Sequence, residues 1–110
     1  NLALVGFSQG CMIGIQVALK NIKEINCIIG YSGKVINKKN LSENINSKPK
    51  IFLMHGDNDQ IVTPNELLEA KEYFANYGIK IKTKLFKNCD HRIPVEGSSL
   101  GLEFLRKNLL

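Results

Sequence analysis

No apolar run in this sequence approaches the roughly 20 residues a helix needs to cross a bilayer, and no stretch within it reads as a secretory signal. The formal glycosylation sequon Asn40-Leu41-Ser42 carries little weight without one. Arginine is nearly absent, with only two residues, and no run interleaves basic residues with stacking aromatics. A nucleic-acid site is therefore not expected. The net charge of +5 comes from scattered lysines. Lys, Ile and Asn together make 38 of the 110 residues, the bias of an AT-rich coding sequence, so the charge reads as a solvated basic surface. Cysteine is sparse and odd in number: Cys11, Cys27 and Cys89, at spacings that match no metal site. Two of them fall in predicted buried elements. Free, reduced thiols in a cytoplasmic protein are the expectation, with no metal and no cofactor.

The 110 residues make one domain at most. The chain opens at Asn1, without a Met, directly in a strand. A chain that opens directly in a buried strand reads as the C-terminal half of a larger parallel-sheet domain. There are no internal repeats and no second domain.

Leu2 to Val5 is a continuous apolar strand of the kind buried on both faces. Gln9 to Lys20 is helical and apolar nearly all round, as in a helix covered on most sides. Cys27 to Ile29 opens a second strand that ends at Tyr31-Ser32-Gly33. Lys34 to Lys50 is a polar connection with room for one short helical turn. Ile51 to Met54 is a third apolar strand. Thr63-Pro64-Asn65-Glu66 predicts a capping box with proline at the first helical position. The helix it opens places Leu67, Ala70 and Phe74 on one face and stops near Gly78. Lys80 to Phe86 alternates lysines with apolar residues, the pattern of a guarded edge strand. A last helix, about Val95 to Leu109, is expected to bury Leu102, Leu105 and Leu109 despite Gly97 and Gly101. The fold class is α/β, a mostly parallel sheet of about four strands flanked by helices, three inner and one outer.

Gly6-Phe7-Ser8-Gln9-Gly10 lies between the first strand and the first helix. This is the G-x-S-x-G pattern in the strand–turn–helix setting that gives it meaning. The motif alone arises by chance in about one chain of this length in thirty; the setting is what lifts it. Glycine at both flanking positions is expected to let strand and helix backbones approach closely. Ser8 is the candidate nucleophile, and a serine hydroxyl needs an imidazole to take its proton and a carboxylate to orient that imidazole. His91 follows the last strand, whereas His55 follows its own strand immediately and reads as a residue fixing the turn. Asp57, Asp59 and Asp90 are all loop carboxylates near strand ends, although Asp90 adjoins His91 and would point away from it. Physics barely separates Asp57 from Asp59.

Gly6-Phe7-Ser8-Gln9-Gly10, Tyr31-Ser32-Gly33, His55-Gly56-Asp57-Asn58-Asp59 with Ile61-Val62 and Pro64, and Asp90-His91 together resemble the phospholipase/carboxylesterase family of α/β-hydrolases, which includes the acyl-protein thioesterases. The resemblance runs through essentially the whole chain. It implies the C-terminal half of an α/β-hydrolase fold, with Ser8 as nucleophile, Asp59 as acid, His91 as base and the backbone N–H of Gln9 as one oxyanion donor. Asp57 then becomes a turn residue. The N-terminal half would carry the second oxyanion donor. Cys11 departs from the family's small residue after the elbow.

The expected function is a serine hydrolase acting on small carboxylic esters or acyl thioesters through an acyl-enzyme. A peptidase of the prolyl-oligopeptidase type is the rival on this fold. A non-catalytic fragment serving as an interaction module is the rival from another class. The expected partners are a second copy of the chain or a separate N-terminal polypeptide.

Overall fold

The strongest pattern in the chain is the pair of strands that are apolar on both faces, and they form the middle of the sheet. The computed structural model describes residues 1–109. In chain order the elements are β1 (Ala3–Phe7), α1 (Gln9–Lys20), β2 (Cys27–Tyr31), α2 (Lys38–Ser42), β3 (Lys50–Gly56), α3 (Asn65–Asn76), β4 (Ile81–Phe86) and α4 (Val95–Leu109). The strands make one sheet in the order β1-β2-β3-β4, with all three pairings parallel. Ala3 pairs with Cys27, Cys27 with Lys50 and Ile51 with Ile81, so all four strands end on one edge.

Side chains of β2 and β3 alternate between two apolar layers, as the strand period requires. Ile28, Ile51 and Leu53 join Cys11, Ile15, Ala18 and Leu19 of α1 and Leu67, Ala70 and Phe74 of α3 on one face. Cys27, Ile29, Phe52 and Met54 join Phe86 and Phe104 on the other, under α4. Each parallel step from β1 to β4 crosses over the first face, and only α4 returns across the second.

Three expectations about packing are corrected. β1 is not covered on both faces: Val5 is 59% exposed, because β1 is an edge of the described sheet and α4 packs on β2 and β3 instead. Only β2 and β3 are flanked on both sides among the described residues. α1 buries one side alone, leaving Ile13 60% exposed and Val17 open to solvent. In α4, Leu102 is 54% exposed, Leu105 and Leu109 are only partly buried, and the buried stripe is Gly97, Gly101 and Phe104. The glycines, four residues apart on one helical face, let α4 lie close against Phe86 and Tyr31. A Cβ on Gly97 would sit 3.2 Å from the Phe86 ring, and one on Gly101 would collide with the Tyr31 hydroxyl. That hydroxyl donates to the Gly97 carbonyl at 2.8 Å.

The capping box does not form either. No side chain caps α3; its first turn closes through the Glu66 and Leu67 N–H groups, which donate to the carbonyls of Thr63 and Pro64. Glu66 pairs with Glu69 along the helix, and that hydrogen bond, with some burial, raises its pKa. The helix does stop before Gly78, which takes a positive φ of 71°. β4 is an outer strand, with Lys82 over the Phe52 ring and Lys84 3.7 Å from Glu96.

Gly101→Ala is expected to lose about 1–3 kcal/mol of stability through overpacking against Tyr31. Leu102→Lys should stay within about 0.5 kcal/mol of the parent. Urea denaturation of the two variants checks both values, and a costly Leu102→Lys would show that α4 turns its other face to the sheet.

Candidate active site

Each strand end along the carboxyl edge is tied to the next strand by the first residue beyond it. Ser8 N–H donates to the Tyr31 carbonyl at 2.8 Å, Ser32 N–H to Met54 at 2.9 Å, and Asp57 N–H to Phe86 at 2.9 Å. Side chains on these three turns are thereby held at fixed heights above the sheet.

Ser8 stands between β1 and α1 with φ 55° and ψ −117°, a conformation that non-glycine residues rarely adopt. The turn is tight because Gly6 has no side chain: a Cβ there would lie 2.5 Å from the carbonyl carbon of Gly10 and 2.6 Å from the Cys11 nitrogen. Gly10 differs from the expectation, since a Cβ at that position meets nothing within 4 Å. The close approach is carried by Gly6 alone. Below the elbow, the Cys11 sulfur fills the space that Gly30 and Gly33 leave open. Burial pushes its thiol up to about 12, so it stays protonated.

The structure brings Ser8, His91 and Asp59 into one line. His91 Nδ1 lies 2.7 Å from Asp59 Oδ2, and His91 Nε2 lies 3.0 Å from Ser8 Oγ. An ionised carboxylate only accepts, so Nδ1 carries the hydrogen and donates. Neutral imidazole then offers Nε2 as an acceptor for the Ser8 hydroxyl. The Phe7 ring packs against the imidazole with centroids 4.9 Å apart, bracing its face.

Asp59 is buried, at 3% exposure. Its Oδ1 accepts the N–H groups of Ile61 and Val62, each at 2.9 Å. Burial by itself would raise the carboxyl pKa. The hydrogen bonds from His91, Val62 and Ile61 outweigh it and hold the group below its ordinary 3.8.

The other candidate carboxylates do different work. Asp57 turns its Oδ1 toward the Cys89 N–H at 3.4 Å, while Asn58 N–H donates to the Cys89 carbonyl at 2.9 Å. The acid-bearing loop is thus stapled to the histidine-bearing loop. Asp90 points outward to Arg92, 3.0 Å away at the surface. His55 is buried near the end of β3, with Nε2 2.8 Å from the Val62 carbonyl of the acid loop. Gln9 is the first residue of α1, so its N–H belongs to a helix terminus with no partner within the helix. Sequence reasoning missed two residues here, Phe7 as the brace on His91 and Asp57 as the staple between loops. Phe7 had a signal, as the residue next to the nucleophile on the strand. Asp57 had none, because its partner is the backbone of another loop. Among the described residues no group of three or more His, Cys, Asp or Glu side chains is arranged to hold a metal ion. No helix among them is long and apolar enough to cross a membrane.

A model of the phospholipase/carboxylesterase family matches residues 1–109. Acyl-protein thioesterase 1 of Kluyveromyces lactis is 27% identical over 99% of this chain and 50% of its own length. Esterase YpfH of Escherichia coli is 23% identical over 94% of this chain and 44% of its own. The chain therefore spans about half the length of the curated relatives it matches. Among solved structures, esterase PE8 superposes with a TM-score of 0.92 at 32% identity, over 97% of this chain and 50% of that one.

The lowered Asp59 pKa has a sign. A carboxyl group held below its unfolded value stabilises the fold at pH above that value, and the contribution is lost as pH falls through the folded value. The stability gap between the parent and Asp59→Asn should be widest near neutral pH and narrow below about pH 4. Urea midpoints across that range measure it, and a gap that widens on acidification would contradict the burial and hydrogen bonding described for Asp59.

Proposed function

Because this chain belongs to the phospholipase/carboxylesterase family, we propose that it carries the Ser-His-Asp machinery of a serine hydrolase that cleaves carboxylic esters or thioesters through an acyl-enzyme. Ser8 Oγ attacks the acyl carbon while His91 Nε2 takes its proton. Asp59 keeps His91 in the Nδ1–H tautomer and stabilises the imidazolium that forms. The tetrahedral oxyanion receives the Gln9 N–H at the start of α1, where the helix dipole favours negative charge. Collapse expels the alcohol or thiol with the proton from His91. Water then enters by the same route and releases the acid. The observation that carries this reading is the unbroken hydrogen-bond line, 3.0 Å from Ser8 to His91 and 2.7 Å from His91 to Asp59.

The substrate class in this reading is a small ester or an acyl thioester, in keeping with relatives named as an esterase and an acyl-protein thioesterase. Nucleic acid has no place in it. Three unpaired, buried cysteines favour the cytoplasm. The second oxyanion donor comes from polypeptide outside these residues. The open edge of β1, with Leu2, Val5 and Phe7 exposed, is where that polypeptide or a second copy of the chain pairs.

Ser8→Ala should abolish labelling by a fluorophosphonate probe, and His91→Ala should be equally silent, whereas Ser32→Ala and Ser98→Ala should label normally. Ester turnover by the first two should fall on the order of 10⁴-fold or more. Labelling that persists without Ser8 would sink the assignment. A panel of p-nitrophenyl esters, acyl thioesters and aminoacyl amides decides the substrate class, with preference for the amides turning the reading toward a peptidase. The 110 residues alone should self-associate in light scattering. They should also turn over p-nitrophenyl esters about 100- to 1000-fold below an enzyme with both oxyanion donors. A monomer with brisk turnover would show that no second polypeptide is needed.

A further inference from the structure

His55 is a buried titratable group that the proposed mechanism leaves unused. It is the penultimate residue of β3, at 2% exposure, shortly before the loop that carries Asp59. Its Nε2 lies 2.8 Å from the Val62 carbonyl and 3.4 Å from Asp59 Oδ2. A carbonyl oxygen can only accept, so the hydrogen sits on Nε2 and the tautomer is fixed. The same N–H then leans toward the carboxylate oxygen that also takes the His91 proton donor at 2.7 Å.

We infer that His55 is a positioning residue for Asp59: its Nε2–H closes the acid loop on the Val62 carbonyl and keeps the carboxylate turned toward His91. The inference rests on the proposed role of Asp59 in the hydrolase. Val62 is the intermediary. Its N–H donates to Asp59 Oδ1 and its carbonyl is held by His55, so freeing the carbonyl loosens a donor that fixes the carboxylate. Three hydrogen bonds also converge on the carboxylate. Oδ1 takes two backbone N–H groups, while Oδ2 takes the His91 bond and faces the His55 N–H. With its side chain fully buried, the carboxylate is also shut off from water that could pull it out of line. An apolar side chain at position 55 would leave the Val62 carbonyl buried without a donor. Glutamine reaches about as far as histidine Nε2 and supplies an N–H there.

The test uses NMR and probe labelling on the intact protein. Long-range ¹H–¹⁵N correlation of the wild-type imidazoles should show His55 as the Nε2–H tautomer; an Nδ1–H tautomer overturns the inference without any variant. In wild type the His91 Nδ1 proton should resonate far downfield. His55→Leu should lose that signal and slow Ser8 phosphonylation about 10-fold or more, while His55→Gln keeps the signal and labels within about threefold of wild type. A role in folding alone would leave the signal and the rate unchanged in folded His55→Leu. The inference fails if folded His55→Leu keeps both the signal and the rate, or if folded His55→Gln is as impaired as His55→Leu. The proton signal needs no turnover. If wild type shows it, His55→Leu loses it and neither labels at Ser8, the hydrolase reading falls and the positioning role stands.

Discussion

Residue 56 has no side chain, and the loops bearing Asp59 and His91 lie backbone against backbone because of it. A Cβ on Gly56 would run into the Cys89 carbonyl oxygen and would stand 2.6 Å from that of Asp90. In its absence the β3–β4 pairing continues past the strands: Asp57 N–H reaches Phe86, Asn58 N–H reaches Cys89, and the Asp57 carboxylate returns to the Cys89 N–H. Asp59 and His91 are 32 residues apart in the chain. They meet at hydrogen-bonding distance because this contact sets the spacing of their loops, and not because either loop is rigid alone. A carboxylate buried as deeply as Asp59 is costly unless its oxygens are satisfied, and two of its donors, the Ile61 and Val62 N–H groups, come from the same loop. The loop is therefore built around its charge.

The left-handed backbone at Ser8 is the second constraint. Such a conformation costs on the order of 1–3 kcal/mol and persists where surrounding structure over-determines it. Gly6 below, the Tyr31 carbonyl beside and the first turn of α1 beyond do so here. Ser32 repeats the device one strand over, with φ 55° and its N–H on Met54, though its buried hydroxyl finds no partner. The carboxyl edge is thus a relay of strand ends, each leaning on its neighbour.

What could be read from the sequence divides along a physical line. The apolar runs of β2 and β3, the helix stop at Gly78 and the alternating lysines of β4 are local signals, and the sheet follows them closely, whereas the equally apolar β1 lies at an edge. The meaning of glycine depended on the partner. Gly6 is required where the helix backbone crosses it, yet Gly10, its apparent twin in the motif, faces open space. In α4 the glycines were read as weak points and turned out to be the contact, which rotated Leu102 out to solvent. Composition cannot say which face of a helix is buried when the buried stripe is made by absent side chains. At the site, Ser8 and His91 were legible as residues following strands. The choice between Asp57 and Asp59 was legible only through the family resemblance, since it turns on which oxygen each residue leaves facing inward.

The two edges of the sheet carry opposite chemistry. β4 presents Lys82 and Lys84, charges that oppose further pairing, while β1 presents Val5 between Leu4 and Gly6 with nothing beyond it among the described residues. β1 also ends at Phe7, the residue that braces His91 and precedes Ser8. Whatever pairs along β1 therefore arrives within one residue of the proposed nucleophile. A strand there would cover Val5, limit the movement of Phe7 and stand over the side of Ser8 that α1 leaves open. On the proposed mechanism, an occupant of this edge would be at once a stabilising neighbour and a wall of the acyl site. Stability and turnover in this fold would then be coupled through β1, whereas Asp59 is gripped by the Ile61 and Val62 N–H groups of its own loop.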